Sequence, residues 1–186
     1  TLQRIIQPAS AMTPLLCDDK IILRAVEATD LDTILAWEND TTIWEVGSSM
    51  APFSRKSIWD YIESYNPDIF AARQLRLIIE RNDSRQAVGM IDLYDFDPMN
   101  RRAGVGLLID RAYRHQGYGM RSLALLAGYA GKFIGMHQLW AVVSVDNSHS
   151  VDLFKKSGYR ITGRMKSWLR SGKSYRDAFM MQLLIN

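Results

Sequence analysis

The hexapeptide Arg114-His115-Gln116-Gly117-Tyr118-Gly119 decides the fold, because it joins an apolar run to a helical one. The run before it, residues 105–109, predicts a strand, and the stretch after it repeats apolar side chains at helical spacing. Two glycines and a basic residue at a strand–loop–helix junction are typical of a turn that holds a phosphate. Backbone N–H groups point out of such a turn, and the positive end of the helix dipole lies behind them. The alternative interpretation is a glycine-rich helix start that binds no ligand, since it would have the same composition.

The composition, with 47% hydrophobic and 23% charged residues, places the chain among ordinary globular proteins. Its length of 186 residues predicts one domain. The net charge of +3 comes without a dense Lys/Arg block, which argues against a nucleic-acid partner. The single cysteine, Cys17, excludes an internal disulfide and fits a reducing compartment. No apolar run reaches the roughly 18 residues of a membrane span, and the first residues lack a signal-peptide layout. We therefore expect a cytoplasmic protein with no membrane partner.

The remaining segments predict an α/β (α+β) architecture. Residues 1–19 are expected to form an N-terminal arm and residues 20–186 a single domain. A strand at 20–25 is followed by helices that begin near residues 29, 41 and 55, the first with a capping-box-like start at residues 29–32. Three strands at 74–81, 87–94 and 101–110 form a meander, and βα units complete the chain. This order predicts a mixed central sheet of about seven strands flanked by helices.

A second junction accompanies the first. Residues 143–150 join a strand to a helix through Asn147, and Gly158-Tyr159 ends that helix and opens another strand. With Arg114-x-x-Gly117-x-Gly119, the run Asn147-x-x-Ser150 and residues 155–159 (KKSGY) resemble the two motifs of the GNAT (Gcn5-related N-acetyltransferase) superfamily. The resemblance covers the chain from about residue 21 to its end. It implies the GNAT acyl-CoA N-acyltransferase fold and acetyl-CoA (coenzyme A) as the cofactor.

The resemblance also implies a donor site. The loop would hold the pyrophosphate of coenzyme A, and the strand before it would splay from its neighbour and pair with the pantetheine arm. Asn147 would contact the cofactor through its side chain, although a plain helix N-cap explains this residue equally well. The cofactor-binding residues expected on this basis are Leu107, Leu108, Ile109, Arg114, His115, Gln116, Gly117, Tyr118, Gly119, Met120, Asn147 and Phe154.

Within the superfamily, the chain is most similar to the spermidine/diamine acetyltransferases, with the ribosomal-protein N-terminal acetyltransferases close behind. The shared traits include residues 23–25 (LRA), 37–39 (WEN), 101–103 (RRA) and 172–177 (GKSYRD). This likeness implies acetylation of a primary amine, first a polyamine or diamine such as spermidine, by direct attack in a ternary complex. A protein α-amine or another small amine is the alternative acceptor. A homo-oligomer is compatible with the sequence.

Two departures from the family pattern leave the proton chemistry open. The family's tyrosine general acid is replaced by Phe154, which has no proton to give, and a frequent glutamate base is replaced by Gly104. The nearest substitutes lie on the preceding strand: Asp92, Tyr94 and Asp95. We predict that Asp92 is the base or the anchor of the amine. A non-catalytic acyl-CoA-binding module is the alternative from another class.

The expected acceptor site lies opposite the cofactor, lined by the first helices and the strand of Asp92. Its predicted substrate-binding residues are Glu38, Trp44, Glu45, Asp92 and Tyr94. Acidic side chains cluster in this half of the chain and suit a polycation, although ordinary surface charge is an equal alternative. Tryptophans at helical spacing could line a methylene chain, but are more often part of a core. The three histidines have no metal-ligand spacing, so no metal is expected.

Overall fold

The computed structural model describes residues 15–44 and 51–185. Its strands are β1 (Ile21–Ala25), β2 (Leu75–Arg81), β3 (Ala87–Asp97), β4 (Arg102–Ile109), β5 (Gln138–Ser144), β6 (Arg160–Ser171) and β7 (Ser174–Leu184). Its α-helices are α1 (Leu31–Glu38), α2 (Thr41–Trp44), α3 (Arg55–Glu63), α4 (Ile69–Ala72), α5 (Tyr118–Tyr129) and α6 (Ser148–Lys156). Short 3-10 turns cover Ala28–Asp30 and Arg111–Tyr113, and a π-helical turn covers Ala130–Ile134.

The described strands form one mixed sheet in the order β1-β2-β3-β4-β5-β7-β6. All neighbours run antiparallel except β4 and β5, which run parallel because α5 carries the chain back between them. The predicted seven-stranded sheet is therefore confirmed. The short helix α4 was not predicted.

The parallel pair β4/β5 is joined only at its beginning. Pairing covers Arg102–Gln138, Ala103–Leu139 and Gly104–Trp140, and then the two strands separate. On its other side β4 stays paired with β3 as far as Ile109. The backbone of β4 beyond Gly104 therefore has a free edge, which faces the gap between the two strands.

The two faces of the sheet have separate cores. On β3, Ile91 and Leu93 are fully buried in the larger core, which includes Leu123 and Leu126 of α5. The alternate residue Met90 belongs to a smaller core with residues of α1 and α3. Because side chains alternate along a strand, Asp92 and Tyr94 lie on the face of α1 and α3.

The predicted capping box at residues 29–32 is two residues too late, because the observed box runs from Glu27 to Asp30. A 3-10 turn begins the helical segment, and Asp30 accepts a hydrogen bond from the backbone N–H of Glu27 at 2.8 Å. Asp30 is buried and also receives two hydrogen bonds from the guanidinium of Arg24, which in turn contacts Glu80. The ion pair between Arg24 and Asp30 cannot be read from the local pattern, and Asp30 takes the third position of the box, where the prediction had placed Asp32.

The described end of the N-terminal arm, residues 15–19, runs back along β1. Cys17 forms an isolated antiparallel bridge with Ile22. Asp18 accepts hydrogen bonds from the N–H groups of Lys20 and Ile21, and its carboxylate lies 2.7 Å from the guanidinium of Arg121 on α5. The rest of the predicted arm, residues 1–14, lies outside the described residues.

Candidate active site

The loop after β4 is shaped around Gly117. This residue has φ +84°, a left-handed conformation that favours glycine, and it is the N-cap of α5 without any side-chain cap. The first N–H groups of an α-helix have no partner inside the helix. The start of α5 therefore offers unpaired donors and the positive end of its dipole, as an anion site requires. No atom lies within 4 Å of the place where a Cβ of Gly117 would be, so the cradle is open.

The loop side chains are mostly turned to solvent. Arg114, His115 and Gln116 are exposed. Arg114 donates to the carbonyl of Ile109 at 3.2 Å, and Gln116 donates to the carbonyl of Ala112 at 3.3 Å, so both side chains help to hold the turn. These contacts leave the loop backbone facing outward.

Two residues expected to bind the cofactor have their side chains in the core instead. Tyr118 is buried because it begins α5 on the side that packs on the sheet, so only its backbone can serve a ligand. Phe154 is 5% exposed and packs edge-on against Tyr159 at 4.9 Å between ring centroids. The ring of Phe154 is therefore almost closed to any bound molecule. Met120, by contrast, is 46% exposed.

The free edge of β4 supplies the second part of the expected donor site. Leu107 and Ile109 pack on the larger core and Leu108 on the smaller one, so their side chains are fixed on opposite faces. Their backbone amides beyond Gly104 have no partner strand on the β5 side. An extended chain with amide groups can pair with such an edge.

Helix α6 closes the gap from the β5 side. The side-chain oxygen of Asn147 accepts a hydrogen bond from Ser150 N at 3.1 Å, so Asn147 is an N-cap of this helix. A Cβ on Gly119 would lie 3.0 Å from Leu153 of α6 and 3.4 Å from Leu107. The second loop glycine therefore permits the close approach of α5, α6 and β4.

On the opposite face, Arg76 joins two of the predicted acceptor residues. Its guanidinium makes two hydrogen bonds to Asp92, at 2.8 and 2.9 Å, and one to Glu38 at 2.8 Å. All three side chains are mostly buried. The guanidinium carbon also lies 5.5 Å from the ring centre of Tyr61, and burial raises the pKa of Tyr61 to about 12. We name the set Glu38, Arg76 and Asp92 the carboxylate cluster.

Sequence reasoning missed Arg76, although a signal exists. Among the first five residues of β2, Leu75–Ile79, Arg76 is the only charged one, and the other four are apolar. A charge inside a buried strand requires a partner, and the register places Asp92 directly opposite. The pairing with Glu38 could not be predicted, because it depends on how α1 packs on the sheet.

The tryptophan predictions have mixed outcomes. Trp37 is buried in the smaller core, where its ring nitrogen donates to Asp110 at 2.8 Å, so the core interpretation holds for it. Trp59 is 42% exposed. The side chain of Trp44 and the whole of Glu45 lie outside the described residues.

Tyr94 lies where β4 and β5 separate. It is paired in register with Gly104, and its ring meets the ring of Trp140 edge-on at 5.1 Å between centroids. Burial, with the nearby charges of Asp95 and Asp92, raises the pKa of Tyr94 to about 12. Trp140 was not among the predicted residues; it lies on the half-buried face of β5, whose alternate residues are in the core.

No helix in the described part of the chain is long and apolar enough to cross a membrane. Among the same residues, no group of three or more His, Cys, Asp and Glu side chains could hold a metal ion.

A helix start with free N–H donors, beside a strand edge opened by the separation of two parallel strands, defines a class of protein. The helix start suits a pyrophosphate, the strand edge suits an amide-bearing arm, and both meet at one gap. These features define an acyltransferase that uses an acyl-CoA donor.

The family comparison assigns the chain within that class. Residues 20–160 match the model of the acetyltransferase (GNAT) domain, so the chain belongs to the GNAT acetyltransferase family. It is an N-acetyltransferase, and acetyl-CoA is the acyl donor of this family.

Relatives and solved structures agree with this assignment. The chain is 26% identical over 166 residues to the uncharacterized N-acetyltransferase YoaA of Bacillus subtilis (strain 168), covering 88% of this chain and 93% of that protein. It is 20% identical to the spermidine N(1)-acetyltransferase of Escherichia coli (strain K12), covering 86% and 83%. The fold resembles the crystal structure of spermidine N-acetyltransferase from Vibrio cholerae in complex with CoA and spermine, with a TM-score of 0.78, 22% identity and coverage of 90% and 97%.

Proposed function

We propose that this chain acetylates a primary amine of a polyamine or diamine, with spermidine as the first candidate, by direct attack in a ternary complex. The observation that carries the proposal is the carboxylate cluster. Two carboxylates share one guanidinium, so the cluster has a formal charge of −1. It lies on the face of α1 and α3, two residues along β3 from the point where β4 and β5 separate. A partly buried net negative charge attracts a cationic acceptor.

Asp92 is proposed as the anchor of an ammonium group. Both of its oxygens accept hydrogen bonds from Arg76, which fixes the carboxylate in one orientation. Each carboxylate oxygen can accept more than one hydrogen bond, so an ammonium can still bind. Asp92 is thus a fixed acceptor of hydrogen bonds, which favours the anchor over the base among the two predicted roles.

A groove beside Trp140 offers room for the rest of a polyamine. It has a volume of about 360 Å³, and it carries the carboxylates Asp95 and Asp97. Asp97 is engaged by Arg102 at 3.2 Å, whereas Asp95 is exposed on the strand. A methylene chain over the Trp140 ring would bring a second ammonium to Asp95.

The donor site completes the proposal. When bound, acetyl-CoA supplies the activated thioester that the amine attacks. The N–H groups at the start of α5 and the loop residues 114–117 hold its pyrophosphate, and the free edge of β4 orients its arm. Positioning of two reactants in this way supplies much of the rate enhancement of a bimolecular transfer.

The relatives support the acceptor assignment. The Escherichia coli and Vibrio cholerae proteins similar to this chain over most of its length are spermidine acetyltransferases. One Vibrio cholerae structure, with a TM-score of 0.74 and 21% identity, is dodecameric. On that basis we also propose that copies of this chain associate, which light scattering after size exclusion tests directly.

A protein α-amine is the second candidate, and the end of the β6–β7 hairpin favours it. β7 pairs with β5 only from Ala178 onward, so residues 166–177 extend beyond the neighbouring strand. This extension exposes Trp168 and Tyr175 together with the cations Lys166 and Lys173. Exposed tryptophan and tyrosine side chains are typical of a protein-binding surface.

A competition experiment separates these acceptors. The protein is incubated with acetyl-CoA and equal concentrations of spermidine, a diamine and a peptide with a free α-amine, and products are quantified by mass spectrometry. The proposal expects acetylated spermidine as the main product, with one thiol released per acetyl group. Acetylation of the peptide alone would establish the second candidate instead.

A further inference from the structure

The ring of Tyr94 occupies the space that a side chain at position 104 would need. A Cβ built on Gly104 would lie 2.5 Å from Cε2 and Cζ of Tyr94 and 2.9 Å from Cζ2 of Trp140. A Cβ on Gly106 would lie 3.9 Å from Cε1 of the same ring. The carbon that carries the hydroxyl therefore lies directly over Gly104, and any residue other than glycine there would displace the phenol.

This position is the apex of the donor site. Gly104 is the last residue of β4 paired with β5, so the free edge begins just beyond it. The pyrophosphate cradle follows the other end of β4, after Ile109. A donor that binds the cradle with its phosphates and runs along the free edge brings its thioester toward Gly104. The acceptor arrives from the carboxylate cluster, which shares a face with Tyr94.

The phenol is held in place but its hydroxyl is available. The edge-on contact with Trp140 fixes the ring, because aromatic pairs favour this arrangement. Within residues 15–44 and 51–185, no side chain or backbone group forms a hydrogen bond with the Tyr94 hydroxyl. The hydroxyl of this half-buried residue can therefore form a hydrogen bond with a molecule that enters the apex.

We propose that Tyr94 is a catalytic residue that relays the proton during acetyl transfer, and that position 104 is a glycine because the Tyr94 ring needs the space. This proposal rests on the proposed function. The reacting nitrogen first loses its ammonium proton to water. The neutral nitrogen then attacks the acetyl carbonyl carbon, so the C–N bond forms and the C–S bond breaks, and the electron pair leaves with sulfur. The Tyr94 hydroxyl gives its proton to that sulfur. The phenolate oxygen takes up the proton that the nitrogen loses, so thiol and amide are released and the phenol is restored.

The environment of Tyr94 suits this order of events. Its raised pKa keeps the phenol protonated at neutral pH, so it can donate first. A phenolate with this raised pKa is a strong base, so taking the proton from the nitrogen returns it to the neutral phenol. Tyr94 also accounts for both departures from the family pattern, because Phe154 is closed in the core and Gly104 makes room for the ring.

Kinetics of Tyr94→Phe test the relay, because this variant keeps the ring and removes only the hydroxyl. We expect kcat to fall about 100-fold, as for loss of a general acid–base group, with the Kd of CoA and the KM of the amine within about twofold. The matched control is Tyr129→Phe, which removes the hydroxyl of another half-buried phenol, stacked on Phe133 and packed on the larger core across the sheet from Tyr94. A kcat of Tyr94→Phe equal to that of the control would overturn the proposal.

A second measurement uses no acceptor. Protein labelled with ¹³C at tyrosine Cζ is titrated with CoA and with desulfo-CoA, which lacks the thiol, and the Tyr94 signal is assigned by its absence in Tyr94→Phe. The relay predicts a shift with CoA that desulfo-CoA does not cause, and predicts its loss in Gly104→Ala. An identical response to both ligands, or none, would refute the relay even if the protein acetylates a different amine. Conversely, a thiol-dependent shift without spermidine turnover would remove only the proposed acceptor.

Discussion

Gly117→Asp places a carboxylate at the point where the pyrophosphate should approach. The residue has φ +84° and no neighbour within 4 Å of the added Cβ, so the change introduces backbone strain but no steric clash. A non-glycine residue in the left-handed region costs about 1 kcal/mol. Aspartate and glycine differ as N-caps by only roughly a few tenths of a kcal/mol, so the cap does not offset this strain. We therefore expect the free energy of unfolding to fall by about 1 kcal/mol.

The electrostatic effect on binding is much larger. Two unit charges about 4 Å apart near a protein surface interact by about 4 kcal/mol. The loop is exposed, so salt and water reduce this value, and we expect about 3 kcal/mol. Since every 1.4 kcal/mol is about tenfold, the Kd of CoA should rise roughly 100-fold.

Gly117→Asn is the matched control, because asparagine has the same shape, tolerates the left-handed region and caps a helix equally well. The Kd of CoA is measured for both variants by isothermal titration calorimetry at low and high salt, and folding by urea unfolding. The aspartate variant should bind far more weakly than the asparagine variant, and the difference should shrink as salt increases. Equal affinities of the two variants would refute the placement of the pyrophosphate.

Three further substitutions test other parts of the account. Phe154→Tyr should leave kcat unchanged and lower the free energy of unfolding by about 1–3 kcal/mol, because the new hydroxyl would be buried among apolar groups; kinetics and urea unfolding check both. Asp92→Asn should raise the KM of spermidine about tenfold, whereas Asp83→Asn, which breaks a bidentate pair in the β2–β3 turn, should not. Burial raises the pKa of Asp18, but backbone N–H groups and Arg121 outweigh it, so the folded pKa is lowered. The carboxylate therefore adds stability above about pH 4, which is lost as pH falls through the folded pKa. Asp18→Asn should reduce the fall of the melting temperature with decreasing pH, as measured by thermal unfolding.

The geometry of the expected donor half, a glycine turn at a helix start beside an open strand edge, could be predicted from sequence because its signals are local. Gly117 takes the left-handed conformation at the start of α5. The glycine and the helix start are both visible in one hexapeptide. The separation of β4 from β5 follows from the fold that the motifs imply. What failed there is the orientation of single side chains: Tyr118 and Phe154 belong to the buried faces of their helices, which a motif does not reveal.

The acceptor half depends on pairs that are distant in sequence. Arg76 and Asp92 meet through the register of β2 and β3, and Glu38 joins them from α1. Sequence reasoning singled out both carboxylates but could not find the cation between them. It therefore treated an ion-paired cluster of net charge −1 as a set of independent acidic groups.

Gly104 lacks the family's glutamate side chain, and the space that this leaves is filled by Tyr94. The sequence marks it as the absence of a glutamate. The register sets Tyr94 opposite to it, and the missing Cβ is what allows the phenol to lie there. Only cross-strand pairing, which no local pattern specifies, connects the two residues.

The central claim is that this chain moves an acetyl group from acetyl-CoA to a primary amine. The most direct measurement mixes the purified protein with acetyl-CoA and spermidine, follows thiol release, and identifies the product by mass spectrometry. We expect monoacetylated spermidine and an equal amount of free CoA. Binding of CoA without acetylation of spermidine or of any amine in a wider panel would contradict the account.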